Sequence, residues 1–326
     1  MTDLDRLFSR WVIGAAIAQL LVQLLPLLGI GGPVGQISDS AGGPEVPAGY
    51  AFSIWAPLFV LGTAFAIWQR GRSDDWTRRV RPWAAMAMTM SALWMWMAQT
   101  LGADPITLPV IALMFVATLI GRKMSRRKRV EVIARPKPPR HVIWTQRWLG
   151  AQTGWLSLAC LLNLASCVRA AGLVQSEQMG MIGLPVGLLA IGICIFMVMM
   201  PVLRSDIWFG GAVIWGLVAV IVSNAGADLD AMNLPVLLAA VWATVSAVVA
   251  LLWTRIGEGL RVLLCMLWAI ATLSCGTWLQ FSMGVPLIEE RPVMIWALLW
   301  ISAFAMGYLL LVFTGEPLED DSSPAT

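Results

Sequence analysis

At 326 residues, 59% hydrophobic and only 13% charged, with a mean hydropathy of +0.77, the chain fits no soluble domain of ordinary composition. The net charge of +3 hides how its 22 Lys and Arg are distributed along the sequence, and that distribution orients the chain. The sequence predicts an all-α, polytopic bundle of about ten transmembrane helices.

In chain order the apolar stretches are Ser9–Gly31, Pro47–Gln69, Pro82–Leu101, Pro105–Gly121 and Trp148–Val168, then Gly180–Val202, Trp208–Asn224, Leu234–Trp253, Leu260–Met283 and Pro292–Thr314. Each is about 17–25 residues, enough to cross a hydrocarbon core of roughly 30 Å as a helix. Open strands would leave backbone groups unpaired in lipid. Arg6 and Arg10 precede the first stretch like the start of a signal peptide, but no small-residue cleavage site follows, so it reads as a retained helix.

With ten spans, 20 of the 22 Lys and Arg fall on one side. They are Arg6 and Arg10, five Arg between Arg70 and Arg81, ten basic residues from Arg122 to Arg147, and Arg204, Arg255 and Arg261. Only Arg169 and Arg291 fall on the other side. Cytoplasmic loops carry such an excess, which predicts a bacterial inner-membrane protein with both termini cytoplasmic. The predicted divisions are a five-helix bundle over 1–168, a second over 169–315 and an acidic disordered tail over 316–326.

No Asp, Glu, Lys, Arg or His lies near the middle of a span, which counts against an ion-driven pump. The five cysteines (Cys160, Cys167, Cys194, Cys265, Cys275) all lie inside spans and read as packed thiols, not a disulfide framework. The lone histidine, His141, reads as a solvated loop residue, and no metal site of normal ligand count can be assembled around it. There is no phosphate loop and no nucleophile elbow, so an enzyme is not expected and no cofactor is required. The basic Arg122–Arg147 loop either enforces orientation or meets anionic lipid headgroups. Without an aromatic platform, nucleic acid is not an expected partner.

The polar groups that enter the membrane are uncharged. Gln19 and Gln23 share a helical face, and Ser91, Gln99, Gln152, Ser157, Asn163, Ser223, Asn224 and Gln280 lie in other spans. Interhelical hydrogen bonds are their plainest use. Of the 18 tryptophans, Trp11, Trp68, Trp76, Trp83, Trp144, Trp148, Trp208 and Trp253 lie at cytoplasmic span ends, as an interfacial belt requires. Trp55, Trp94, Trp96 and Trp155 lie deeper, as do Trp215, Trp242, Trp268, Trp278, Trp296 and Trp300. Buried indoles either pack helix on helix or line a cavity for a flat apolar molecule.

Two segments favour the cavity. The string Pro47-Ala-Gly-Tyr-Ala-Phe-Ser-Ile-Trp-Ala-Pro-Leu-Phe59 opens the second span, and Gly154-Trp-Leu-Ser-Leu-Ala-Cys-Leu-Leu-Asn163 lies in the fifth. Together they resemble the TspO/MBR family of tryptophan-rich sensory and translocator proteins, in particular its longer bacterial members. Pro47, Trp55, Leu58 and Phe59 match family positions in the second span, and Ser91-Ala-Leu-Trp94 matches the third-span Asn-x-x-Trp. Trp155, Ala159 and Asn163 repeat the fifth-span spacing and share one face. Ala151-Gln152, Ser91 and Phe59 stand where the family usually has Pro-Tyr, Asn and Tyr.

The resemblance implies a five-helix bundle around a pocket, closed by the loop after the first helix, here the Gly- and Pro-rich Gly31–Val46. The implied ligand-binding residues are Trp55, Ser91, Trp94, Trp96, Gln152, Trp155 and Asn163, with Pro47, Tyr50 and Phe52 at the mouth. The expected role is binding or sensing a small planar hydrophobic ligand, a tetrapyrrole, isoprenoid or sterol-like lipid. Two alternatives stand beside it. One is a carrier of apolar metabolites built from two inverted five-helix units, for which Ala212-Val-Ile-Trp215 echoes Phe52-Ser-Ile-Trp55. The other is a structural subunit, whose partner would be a membrane complex or a second copy of the chain.

Overall fold

The computed structural model describes residues 2–126, 139–189, 192, 206–226 and 232–252. Helix α1 (Asp3–Leu21) starts on a capping box in which Thr2 and Asp5 each accept from the other's backbone N–H. It tightens into a 3-10 stretch, Val22–Leu28, around Pro26 and ends where Gly29 turns left-handed at φ 74°. A short helix α2 (Val34–Ala41) follows, then a 3-10 turn (Gly49–Ile54) leading directly into α3 (Trp55–Trp68). Helices α4 (Asp75–Leu101), α5 (Thr107–Arg126) and α6 (Arg140–Ala170) complete the first part. Beyond it, α7 (Ser176–Gln178) passes through a π turn (Met179–Gly183) into helix over 184–189. Helices α8 (Ile207–Asn224) and α9 (Leu234–Leu252) end the described chain, and no strand occurs among the described residues.

Among the described residues, six segments are long and apolar enough to cross a membrane: Asp3–Leu28, Gly49–Trp68, Thr107–Arg126, Arg140–Ala170, Ile207–Asn224 and Leu234–Leu252. Helix α4 carries Trp94, Trp96, Gln99 and Thr100 near its end, which lowers its apolarity, yet it packs between α1 and α5 as a full member of the bundle. The predicted first five, seventh and eighth spans all coincide with helices. The sixth is described only in its first part, and the ninth, the tenth and the acidic tail lie outside the described residues.

Helix α6 is the axis. Every residue from Trp148 to Leu158 is buried, because α3, α5 and α8 surround it. Glycines let α8 approach, since a Cβ on Gly154 would lie 2.2 Å from the Phe209 carbonyl oxygen. A single apolar core runs from Val12 in α1 to Ala250 in α9.

Polar networks close the end of the bundle that carries the basic residues. Arg81, 1% exposed, donates from Nε to Gln69 Oε1 (2.7 Å), from Nη2 to the carbonyls of Gln69 (3.1 Å) and Arg72 (2.7 Å), and from Nη1 to that of Asp5 (3.3 Å). Gln69 Nε2 in turn donates to the carbonyls of Ser9 and Ala66. Alongside, Arg122 (1% exposed) and Arg126 converge on Asp206 Oδ2, while Asp206 Oδ1 accepts from the first N–H groups of α8. This pairing carries α5 helically past Gly121, so Arg122 is a core residue and not part of a loop facing lipid headgroups.

Two further expectations change here. His141 is not a loop residue: it lies in the first turn of α6, stacked on Trp68 with ring centroids 3.7 Å apart. Trp148 is not an interfacial anchor but fully buried, stacked on Phe65. Cys160 and Cys167 are free and buried, as packed thiols should be, and the other three cysteines lie outside the described residues.

Candidate ligand-binding site

At the end opposite the basic networks, α2, the segment over 45–52, α4 and α6 line an open cavity of about 90 Å³. Trp94 from α4 and Trp155, Ala159 and Asn163 from α6 line it, the last three on the single face their spacing of four requires. Pro47 and Phe52 close one side, and Val34, Ile37 and Ala41 of α2 form the roof. A second cavity of about 330 Å³ adjoins it, sharing Val34 and Phe52 and lined also by Trp55, Met95, Gln99 and Gln23.

The rings make one aromatic cluster. Trp55 lies 5.6 Å from Trp94 and meets Trp155 edge-on at 6.3 Å, and Phe52 meets Trp155 edge-on at the same distance. The indole N–H groups of Trp55, Trp94 and Trp155 are all buried without a hydrogen-bond partner. Such N–H groups normally find acceptors when buried. Asn163 Oδ1 is held by Thr107 Oγ1 (3.3 Å), which fixes the amide against the cavity wall.

Four expected site residues do not line either cavity. Trp96, two residues from Trp94, is turned about 200° around the helix and points outward, 46% exposed. Tyr50 is 42% exposed and packs edge-on against Trp215 at 5.3 Å, outside the mouth. Ser91 and Gln152 bond to each other, Gln152 Nε2 donating to Ser91 Oγ (3.1 Å), and so fasten α4 to α6 within the core. Theirs is the interhelical role expected of a lone polar residue in a span.

The roof is a built structure. Gly32 N–H donates to the Gln99 carbonyl (3.1 Å), and at Gly31, φ +68°, a side chain would strike the same carbonyl. Arg169, at the end of α6, donates from Nε to Glu45 Oε1 (2.7 Å) and from Nη2 to the carbonyls of Ala41 and Gly42. Helix α8 holds the far side, with Asn224 Nδ2 donating to the Pro44 carbonyl (2.9 Å), the Ala219 carbonyl accepting from Ala48 N–H (3.1 Å), and Trp215 Nε1 donating to the Ala51 carbonyl (3.0 Å).

Glu45 is the residue that sequence reading missed. It is 0% exposed, lines the cavity, and leaves Oε2 without a partner. The available signal was charge: Arg169 is one of only two basic residues on its predicted side, and Glu45 is an acid in the facing loop.

A bundle of apolar helices with an aromatic cavity under a pinned loop defines a multi-pass membrane protein. The TSPO-like protein family model matches residues 9–254, most of the chain, and the chain belongs to that family. The match extends past α6 through α8 and α9, the helices that flank the roof and the core. No curated protein and no solved structure matches the chain.

Proposed function

We propose that the chain is a binding or sensor protein, not an enzyme, which holds a small planar hydrophobic ligand of tetrapyrrole, isoprenoid or sterol-like type beneath the α2 roof. One observation carries this reading: the buried indoles of Trp94 and Trp155 meet at a void, with Trp55 packed against both, and none of the three N–H groups has an acceptor. An unmade hydrogen bond at a buried donor costs about 1–3 kcal/mol. Three such donors together favour a molecule that brings acceptors or a polarisable face. Within this reading the chain has ten spans and both termini in the cytoplasm of a bacterial inner membrane, so the cavity opens toward the outer leaflet. A carrier would need a path to the other side, and the Arg81 and Arg122 networks fill that end, which favours binding over passage.

Titration of the purified full chain in lipid nanodiscs with pyrenemethanol and with a neutral porphyrin ester tests this. Tryptophan emission should quench saturably with at least one probe, and less so in the Trp94→Phe, Trp155→Phe double variant. Quenching that never saturates, or that is identical in the double variant, rejects the site.

A further inference from the structure

Resting on the cavity reading above, the geometry points to a selective head-group position at Glu45: we infer that the cavity takes an apolar ligand ending in a hydrogen-bond donor, a hydroxyl or an amine, and rejects one ending in a carboxylate. Glu45 is fully buried, yet half of its carboxylate is used. Oε1 accepts from Arg169 Nε at 2.7 Å, whereas Oε2 has no partner although the residue lines the cavity. A carboxylate oxygen is an acceptor only, so what completes it must donate.

The guanidinium does not offset this for an incoming anion. Two of its nitrogens are committed, Nε to Glu45 and Nη2 to the Ala41 and Gly42 carbonyls. Arg169 is absent from the cavity lining, and among the described residues Glu45 is the one charged side chain in it. A ligand carboxylate placed against Oε2 would meet like charge in an apolar surround, where charges are poorly screened. A hydroxyl can donate to Oε2 and still accept from an indole N–H. An amine donates and sits against the faces of Trp94 and Trp155. A second orphan acceptor, Gln99 Oε1, lines the adjoining cavity and repeats the demand for donors. Among the ligand classes proposed above, tetrapyrroles with free propionates are therefore disfavoured, and alcohols or amines on an apolar skeleton are favoured.

Three probes with one skeleton test this in the full chain: pyrenemethanol, pyrenemethylamine and pyrenecarboxylate, each competed against the same bound porphyrin ester. The alcohol and the amine should bind at least about tenfold tighter than the acid, a ratio read in the unmodified protein. In Glu45→Gln, whose amide can donate, the ratio should fall toward one. Equal affinity for all three, or tightest binding of the acid, overturns the assignment to Glu45 while leaving the cavity reading intact. A ratio unchanged in Glu45→Gln overturns it as well. Saturable binding of no probe, the porphyrin ester included, overturns the cavity reading and this inference with it.

Discussion

Replacing Gly154 with alanine should force α6 away from α8. The new Cβ would stand 2.2 Å from the Phe209 carbonyl oxygen, 2.9 Å from its carbon and 3.0 Å from its Cα. All three are backbone atoms, so no side chain can rotate to make room. Ordinary contact begins near 3.4 Å, so the helices must part locally by about 1.2 Å. Overpacking of a tight interface costs about 1–3 kcal/mol, and a backbone clash belongs at the upper end. Against this, alanine gains about 1 kcal/mol of helix propensity over glycine. The net loss is about 2 kcal/mol, or roughly thirtyfold in the folding equilibrium. Gly211, also in α8, is the internal control, because a Cβ there meets nothing within 4 Å. Gly211→Ala should keep the propensity gain and stabilise by up to about 1 kcal/mol. Titration of the detergent-solubilised full chain with sodium dodecyl sulfate, followed by circular dichroism, reads both variants. A Gly154→Ala protein as stable as Gly211→Ala would refute the packing argument, since both gain helix propensity and of the two only Gly154 faces a backbone clash.

Arg81→Met removes the guanidinium from Gln69 Oε1 and from the Arg72 carbonyl and leaves the Gln69 carbonyl only the Arg72 N–H, and the same denaturation should show a loss of about 3–5 kcal/mol; stability within 1 kcal/mol of the parent, roughly, would mean that water replaces the guanidinium. Trp96→Phe should change stability by less than about 0.5 kcal/mol and leave probe quenching intact, because the ring lies on the outer surface. Ala98→Phe, on the cavity wall, should abolish saturable quenching while the chain still folds; retained quenching would place the probe elsewhere.

The sequence carried the helices well because each span must satisfy its own backbone within the membrane, which makes apolar runs nearly equivalent to helices. Boundaries were harder to read. Arg122 and Arg140 lie outside the apolar runs but inside α5 and α6, since helix continues wherever a polar end finds partners such as Asp206. For the site, the spacing of Trp155, Ala159 and Asn163 sufficed, as residues four apart share a face whatever surrounds them. Trp94 and Trp96 could have been separated by the same rule, because two residues apart on a helix cannot both face one void. Glu45 depended on tertiary closure, and no local pattern announces which loop residue a distant helix end will hold.

The roof offers a prediction about rates that differs from any made by the walls. Arg169→Gln removes the charge-assisted bonds to Glu45 and to the carbonyls of Ala41 and Gly42, which fasten the middle of the loop. The loop's two ends keep their own attachments, Gly32 to the Gln99 carbonyl and Asn224 to the Pro44 carbonyl. The closed state is therefore weakened while the indole rings below keep their packing, and Glu45 on the cavity wall loses its partner at Oε1. If access requires opening, association and dissociation both scale with the open fraction, and their ratio barely moves. Each 1.4 kcal/mol or so taken from the closed state should raise both rates about tenfold. Stopped-flow quenching with pyrene, which has no head group to meet Glu45, measures the two rates separately. Ala98→Phe, by contrast, acts on the bound state and should change affinity itself. An Arg169→Gln protein whose dissociation rate alone rises would show that the arginine holds the ligand and does not gate it.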